Sequence, residues 1–430
     1  MVHRKIKKFS KKILKPLGYQ VDYKAQKLSL KQRMQIIIRK DMTGSQHPAP
    51  LWIIIAIIIV LALVIGGGKL QNKLCEAKTP APVPVLDNEV QLSFVGDVML
   101  SRYVASYGEK ESYSSIFRDS QKLWGQSELV FANLECAAVN KGKNVYYKDK
   151  NIQLPASPAA LQMCAKSGID AVSLANNHVA DFGRDGVRNM IELLQEYDVE
   201  YAGAGANRDD AGTYRLLEAD GLTVGFVACT EVLPNHFAAT NDDYGVCSTG
   251  YPNLYENVLE ASLYSDFVVV YVHWGNEYDL RITESQREIA QRLIDCGADI
   301  VIGSHPHILQ EVEQYKNGII FYSLGNYIFD QALRQSRNTI MLQLNANKTT
   351  GEGYFTLIPM RINNFHPYET KNRFYISEIH QSLLKELPIK AYTVLENGRI
   401  QIPIKLFTPG DKKVQQVSGS DFSENRILND

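Results

Sequence analysis

The stretch Asp299–His307 reads DIVIGSHPH: an apolar run, Ile300 Val301 Ile302, breaks at Gly303 into Ser304 and two histidines separated by Pro306. An uninterrupted β-branched run describes a strand covered on both faces. Pro306 fixes its own φ and pushes the residue before it toward extended backbone. His305 is therefore predicted to be extended, with both imidazoles on one side. That arrangement is ligand-like, although a lone pair of histidines is more often an ordinary surface turn.

The same grammar recurs along the chain. Strand-like runs at 92–95, 129–132, 171–175, 223–229, 267–272, 300–302 and 319–324 alternate with helical segments. Ser157 and Pro158 offer an N-cap and an N1 proline for a helix through Lys166, with Gly168 as its stop. Thr283 and Gln286 have capping-box spacing for a helix that Gly297 closes. Val187, Met190, Ile191 and Leu194 give an amphipathic helix over 186–197. The pattern predicts a layered α/β domain.

Nearly every run ends in polar residues: Gly96-Asp97; Asn133-Leu134-Glu135; Asn176-Asn177-His178; His273-Trp274-Gly275; Ser304 to His307; Gly325-Asn326-Tyr327. Ligands of open α/β sheets bind at the carboxyl ends of strands, so these clusters are predicted to converge on one edge. One Asp or Asn after a strand is a routine turn residue. Recurrence of acids, amides and four histidines at the same position is not.

Asp97, Glu135, Asn177, His273, His305 and His307 offer a mixed N/O donor set suited to one or two divalent ions, Mn, Fe or Zn. His178 is the candidate acid beside them, with Asp97 assigned to the same chemistry. Asn133, Asn176, Trp274, Asn326 and Tyr327 adjoin these positions and are candidate substrate contacts, the aromatic pair being equally at home in a core. Gly96, Gly275, Gly303 and Gly325 are expected to let the backbone turn tightly.

The chain has 430 residues, 45% hydrophobic and 22% charged, with formal net charge -1, an ordinary globular balance that does not call for nucleic acid. Its six cysteines lack CxxC spacing, which argues against a disulfide framework. The basic residues are concentrated between Arg4 and Lys40, where Asp22 is the only acid. Leu51–Ile65, LWIIIAIIIVLALVI, carries no charge and, with its flanks, approaches the roughly 20 residues that cross a bilayer. We expect a basic cytoplasmic segment (1–48), a transmembrane anchor (49–68), a proline-containing linker (69–89), the α/β domain (90–337), a β-rich extension (338–414) and a disordered tail (415–430). The charge bias puts the N-terminus in the cytoplasm and the main domain outside the cell membrane.

The ordered motifs GDVMLSR, FANLEC, SLANNHVADFG, YAGAG, VHWGNEY, IGSHPHILQ and FYSLGNYIFD, between Gln91 and Gln331, closely resemble the CapA family. The resemblance implies a four-layer α-β-β-α sandwich of the calcineurin-like metallophosphoesterase type, and a role in poly-γ-glutamate capsule synthesis. It also implies the anionic polymer and membrane-embedded synthase subunits as partners. By the same resemblance Asp97 matches the first phosphoesterase aspartate, and Glu135 takes the place of the bridging aspartate. Asn177 and His178 match the Asn-His motif, His273 the isolated ligand histidine, and His305 and His307 the closing pair. The chain departs at Met99, where such phosphoesterases carry a histidine, and in the longer side chain of Glu135. Three readings follow: a membrane-anchored component of polymer synthesis or export; a metal-dependent hydrolase of phosphoesters or polymer bonds; and a non-catalytic polymer-binding module, with Arg102, Arg334 and Arg337 as candidate carboxylate contacts.

Overall fold

The computed structural model describes residues 86, 88–138, 150–234, 236–388 and 391–408. The expected cytoplasmic segment, membrane anchor, most of the linker and the polar tail lie outside these residues. Among the described residues no helix is long and apolar enough to cross a membrane.

Two sheets make up the sandwich. In the ten-stranded sheet, Glu89–Val98, Leu129–Leu134, Ala171–Ser173 and Glu200–Ala202 run parallel in that order. In the six-stranded sheet, Leu222–Thr230, Phe267–His273, Ile300–Ser304 and Gly318–Phe321 are the parallel set. Residue parity sorts the core. Along Phe267–His273, Val268, Val270 and Val272 pack with Leu254, Val258 and Leu293 of helices Pro252–Tyr264 and Glu284–Asp295. Phe267, Val269 and Tyr271 face the other way, into a core shared with Phe94 and Phe131 of the first sheet. That sheet's outer face carries helices Tyr113–Trp124, Pro158–Lys166 and Gly183–Glu196. The result is a mixed α/β sandwich whose parallel strands are covered on both faces, as their unbroken apolar runs require.

Local signals act as read. The Ser157 hydroxyl accepts from Ala160 N–H with Pro158 following, and the Thr283/Gln286 box is formed in both directions. Gly168 and Gly297 adopt φ of 89° and 109° just past their helices. The β-rich segments from Asn338 extend the ten-stranded sheet. Asn338–Asn347 pairs antiparallel with Glu89–Val98, and Glu352–Asn363 and Ile400–Lys405 continue the same sheet. Helix Pro252–Tyr264 falls between two of the strands, where no cap is singled out, and helix Arg373–Leu383 arises within the stretch read as β-rich.

One irregularity positions the first carboxylate. Phe94 pairs with Phe131 but Asp97 with Asn133, so one extra residue is accommodated at Val95-Gly96 as a β-bulge. Val90, Leu92 and Phe94 face the second sheet, whereas Val95 and Val98 both face the helices. The phase has therefore slipped by one, and Asp97 is turned toward the second sheet rather than toward the helices. Gly96 is required because the backbone of Gly325 passes there: a Cβ would lie 1.9 Å from the Gly325 carbonyl oxygen. Of the four glycines expected at tight turns, Gly275 and Gly325 do have positive φ (74° and 69°), while Gly96 and Gly303 serve close backbone approach instead.

Gly96→Ala should destabilise the fold by about 3 kcal/mol, because only backbone movement relieves that contact. Urea unfolding of the variant, with the slope m unchanged and the midpoint lowered, checks it.

Candidate metal centre

The carboxyl ends of both parallel sets meet at one place. His273 and Ser304 close neighbouring strands of the six-stranded sheet, and Asp97 and Asn133 lie near the ends of two strands of the other. His273 keeps the inward parity of Val269 and Tyr271, and Ser304 that of Ile300 and Ile302. Their side chains meet, with His273 Nδ1 and Ser304 Oγ 3.0 Å apart. His273 Nε2 lies 3.0 Å from Asn177 Oδ1.

On the other side, His307 Nδ1 lies 3.2 Å from Asp97 Oδ2 and 2.9 Å from Asn326 Oδ1. Glu135 stands between, with Oε1 3.8 Å from His307 Nε2 and 4.0 Å from His178 Nε2. Asn133 Nδ2 donates to Asp97 Oδ1 (2.9 Å) and to Glu135 Oε2 (3.4 Å). Asn176 in turn donates to Asn133 Oδ1 and Leu134 O, and accepts from the His178 and Val179 N–H groups. Asp97, Glu135, His273, His305 and His307 are all buried.

The conformation of the two closing histidines differs from the one predicted. His305 has φ of 93° and His307 of 60°, so neither is extended. Positive φ in a non-glycine residue is strained, and it persists here because the loop is held on both sides. Tyr278 N–H donates to Pro306 O (2.9 Å), and Leu324 N–H to Gly303 O (3.3 Å).

The electrostatics divide the cluster in two. Burial holds the Glu135 carboxyl well above the carboxylate range against the opposing pull of His307, and His273 is pushed well below the imidazole range by burial and by His305. Burial and His307 lower His305 to about 3. Burial opposes charge on His307 too, but Glu135 and then Asp97 outweigh it and raise the ring to about 9. One side thus holds neutral imidazoles, and the other a protonated ring beside buried carboxylates.

That division fits a cation. Glu135 Oε1 and His305 Nδ1 are buried without a hydrogen-bond partner, an expensive condition for polar atoms unless something else satisfies them. Ligating atoms of Asp97, Glu135 and His307 lie within 4.8 Å of one another, as do those of Glu135, His273 and His305. Glu135 is common to both groups.

The five residues expected as substrate contacts are all buried. Trp274 and Tyr327 are 0% exposed core residues whose polar tips bond to Tyr322 O and Ser120 Oγ. Asn133, Asn176 and Asn326 are also fully buried, and orient the ligating side chains rather than facing an opening. Asp181 and Lys150, not singled out from the sequence, adjoin His178. Asp181 Oδ2 lies 2.9 Å from His178 Nδ1, so the ring presents Nε2 to Glu135. Lys150 Nζ pairs with Asp181 and lies 3.0 Å from the same Nδ1. The short spacing His178-x-x-Asp181 is a signal that reading for side-chain orientation reveals. Lys150, separated from it by two strands and a helix, leaves none. Arg102 pairs with Asp330, and Arg334 with Glu378.

The chain is 28% identical over 384 residues to the capsule biosynthesis protein CapA of Bacillus anthracis, covering 88% of this chain and 91% of that protein. It is 32% identical over 323 residues to the PGA biosynthesis protein CapA of Bacillus subtilis (strain 168), covering 74% and 83%. Among solved structures it is similar to a 5'-nucleotidase from Candida albicans SC5314, with 11% identity, a TM-score of 0.34, and 61% and 48% of the two chains covered, a likeness too slight to define the fold. Residues 91–331, more than half of the sequence and every ligating position above, match the family described as bacterial capsule synthesis protein PGA_cap, and the chain belongs to that family.

Proposed function

We propose that this protein is a membrane-anchored, extracytoplasmic component of poly-γ-glutamate synthesis, export or anchoring, working through a divalent-cation site of phosphoesterase type. The observation that carries the reading is the buried cluster in which Glu135 Oε1 and His305 Nδ1 lack partners, set within the family match. The apolar Leu51–Ile65 segment and the basic residues before it support the anchor and its orientation.

Asp97, Glu135 and His307 would hold a cation on one side, and Glu135, Asn177, His273 and His305 one on the other. A bound cation supplies Lewis-acid polarisation of a phosphoryl or carbonyl oxygen. His178 would exchange a proton at Nε2, its Nδ1 being fixed by Asp181, which also accepts from Leu154 N–H (2.7 Å). Asn133 holds Asp97 and Glu135 in register through one amide, so both carboxylates keep their orientation without the cation.

Metal analysis of the purified full-length protein should find bound divalent metal, with His305→Ala and Asp97→Ala each reduced at least about tenfold in affinity. A wild-type chain that takes up no ion from Mn, Fe or Zn solutions overturns the reading. In a poly-γ-glutamate-producing host, deleting the gene should abolish surface polymer, with normal polymer counting against the role.

Cation uptake should also be proton-linked. His307 holds its proton up to about 9, and that proton must leave before the ring ligates. Apparent Mn2+ affinity should therefore climb with pH, by up to about tenfold per unit below that value, and level off above it. Calorimetry in buffers of different ionisation enthalpy would show the released proton directly.

A further inference from the structure

Asp97, Glu135 and His307 would give their cation position three protein donors. Met99, two residues beyond Asp97, is 0% exposed and packed among the helices, with its Sδ accepting from Ser101 N–H at 3.0 Å. A thioether turned into the core supplies nothing to a hard or borderline cation. Three donors are fewer than the four to six such ions take.

Another carboxylate stands near. Glu277 follows the His273 strand end, and its ligating oxygen lies within 4.8 Å of nitrogens of both His305 and His307. His307 is thus shared between the Asp97/Glu135 group and the Glu277/His305 group. The backbone that carries Glu277 is tied down on either side. Trp274 N–H donates to Ser304 O at 3.2 Å, and Tyr278 N–H to Pro306 O at 2.9 Å. Gly275 and Tyr278 both adopt positive φ, 74° and 62°. The segment is folded back onto the histidine loop at the cost of strain in Tyr278, a non-glycine residue. Within the group Glu277 is the exposed member, whereas Glu135 Oε1, 3.8 Å from His307 Nε2, is buried and unpartnered.

We infer that Glu277 is a metal ligand, completing with His307, Asp97 and Glu135 the cation position to which Met99 contributes no donor. This rests on the cation-site reading proposed above. Three carboxylates and one imidazole make that position harder and more negative than the one formed by Glu135, Asn177, His273 and His305. It should favour Mn2+ over Zn2+, while the imidazole-rich position accepts either.

The test uses the full-length protein and counts bound Mn2+ by equilibrium dialysis and electron paramagnetic resonance. Wild type, Glu277→Gln, Glu277→Asp and Asp279→Asn are compared. Asp279 lies two residues away and pairs with Arg281, so its variant removes a similar charge without removing a donor from the cluster. Metal-free melting of each variant shows that it is folded. Wild type and Asp279→Asn should bind two Mn2+ per chain. Glu277→Gln should lose one, or bind it at least about tenfold more weakly, with Glu277→Asp between. Equal Mn2+ binding by wild type and Glu277→Gln, or equal loss in Asp279→Asn and Glu277→Gln, overturns the assignment while leaving the cation site standing. Absence of bound metal in the wild type overturns both.

Discussion

The site depends on the bulge at Val95-Gly96. Without the extra residue, the alternation that sends Phe94 toward the second sheet would turn Asp97 toward the helices. The bulge also releases the Val95 carbonyl from regular pairing, and the second sheet answers it. Tyr271 OH lies 3.1 Å from Val95 O and 3.2 Å from Phe131 O, so a buried phenol joins the two sheets just below the cluster. Tyr271 belongs to the strand that ends in His273. The group that satisfies the bulge and the group that ligates from the opposite sheet are two residues apart on one face, and their relative position is fixed by strand geometry alone.

Around that frame the charges are arranged for a cation rather than for each other. Buried carboxylates are costly unless something positive compensates them, and among the described residues only His307 pairs with both Asp97 and Glu135. Lys150 compensates Glu135 only as the last of several contributions, its ammonium being bonded to Asp181 and to the Asn177 carbonyl. Protonated His307 is a partial substitute, and it occupies the ring whose lone pair a metal would need. The imidazoles of His273 and His305 are held neutral by burial and by their neighbours, so one half of the cluster is ready to ligate while the other must first give up a proton.

The parts of this plan legible in the sequence were those written in short range. Unbroken apolar runs mark doubly covered strands, Ser157 and Thr283 mark helix starts, and polar residues at successive strand ends mark the converging edge. What was not legible depends on register and on direction. A bulge is invisible in a string of apolar residues, so Gly96 reads as a turn glycine. Proline at 306 predicts an extended His305 from local sterics, but hydrogen bonds from Tyr278 and Leu324 hold the loop in a conformation that no dipeptide preference indicates. Trp274 and Tyr327 adjoin the ligands in sequence and still point away from them, because alternate residues of a strand face opposite sides. Lys150 and Glu277 reach the cluster from loops.

The C-terminal strands bear on the same frame. Asn338–Asn347 pairs with Glu89–Val98 from Glu89 to Phe94 and leaves the strand where the bulge begins. Beyond that point Asn326–Ile328 takes over as the neighbour, running parallel, with Asn326 opposite Asp97. One edge of the first ligand strand is therefore shared by two partners, and the exchange between them coincides with the phase slip. Asn326 gains a second role from its place there. Its Oδ1 lies 2.9 Å from His307 Nδ1, and its Nδ2 donates to Gln331 Oε1 and Ser336 O, which fixes the amide. A held amide oxygen accepts a hydrogen bond from Nδ1, directing His307 Nε2 toward Glu135 Oε1. The residues after 338 thus belong to the site mechanically: they brace the strand up to Phe94, leaving the last four residues to the ligand and the loop that orients its histidine.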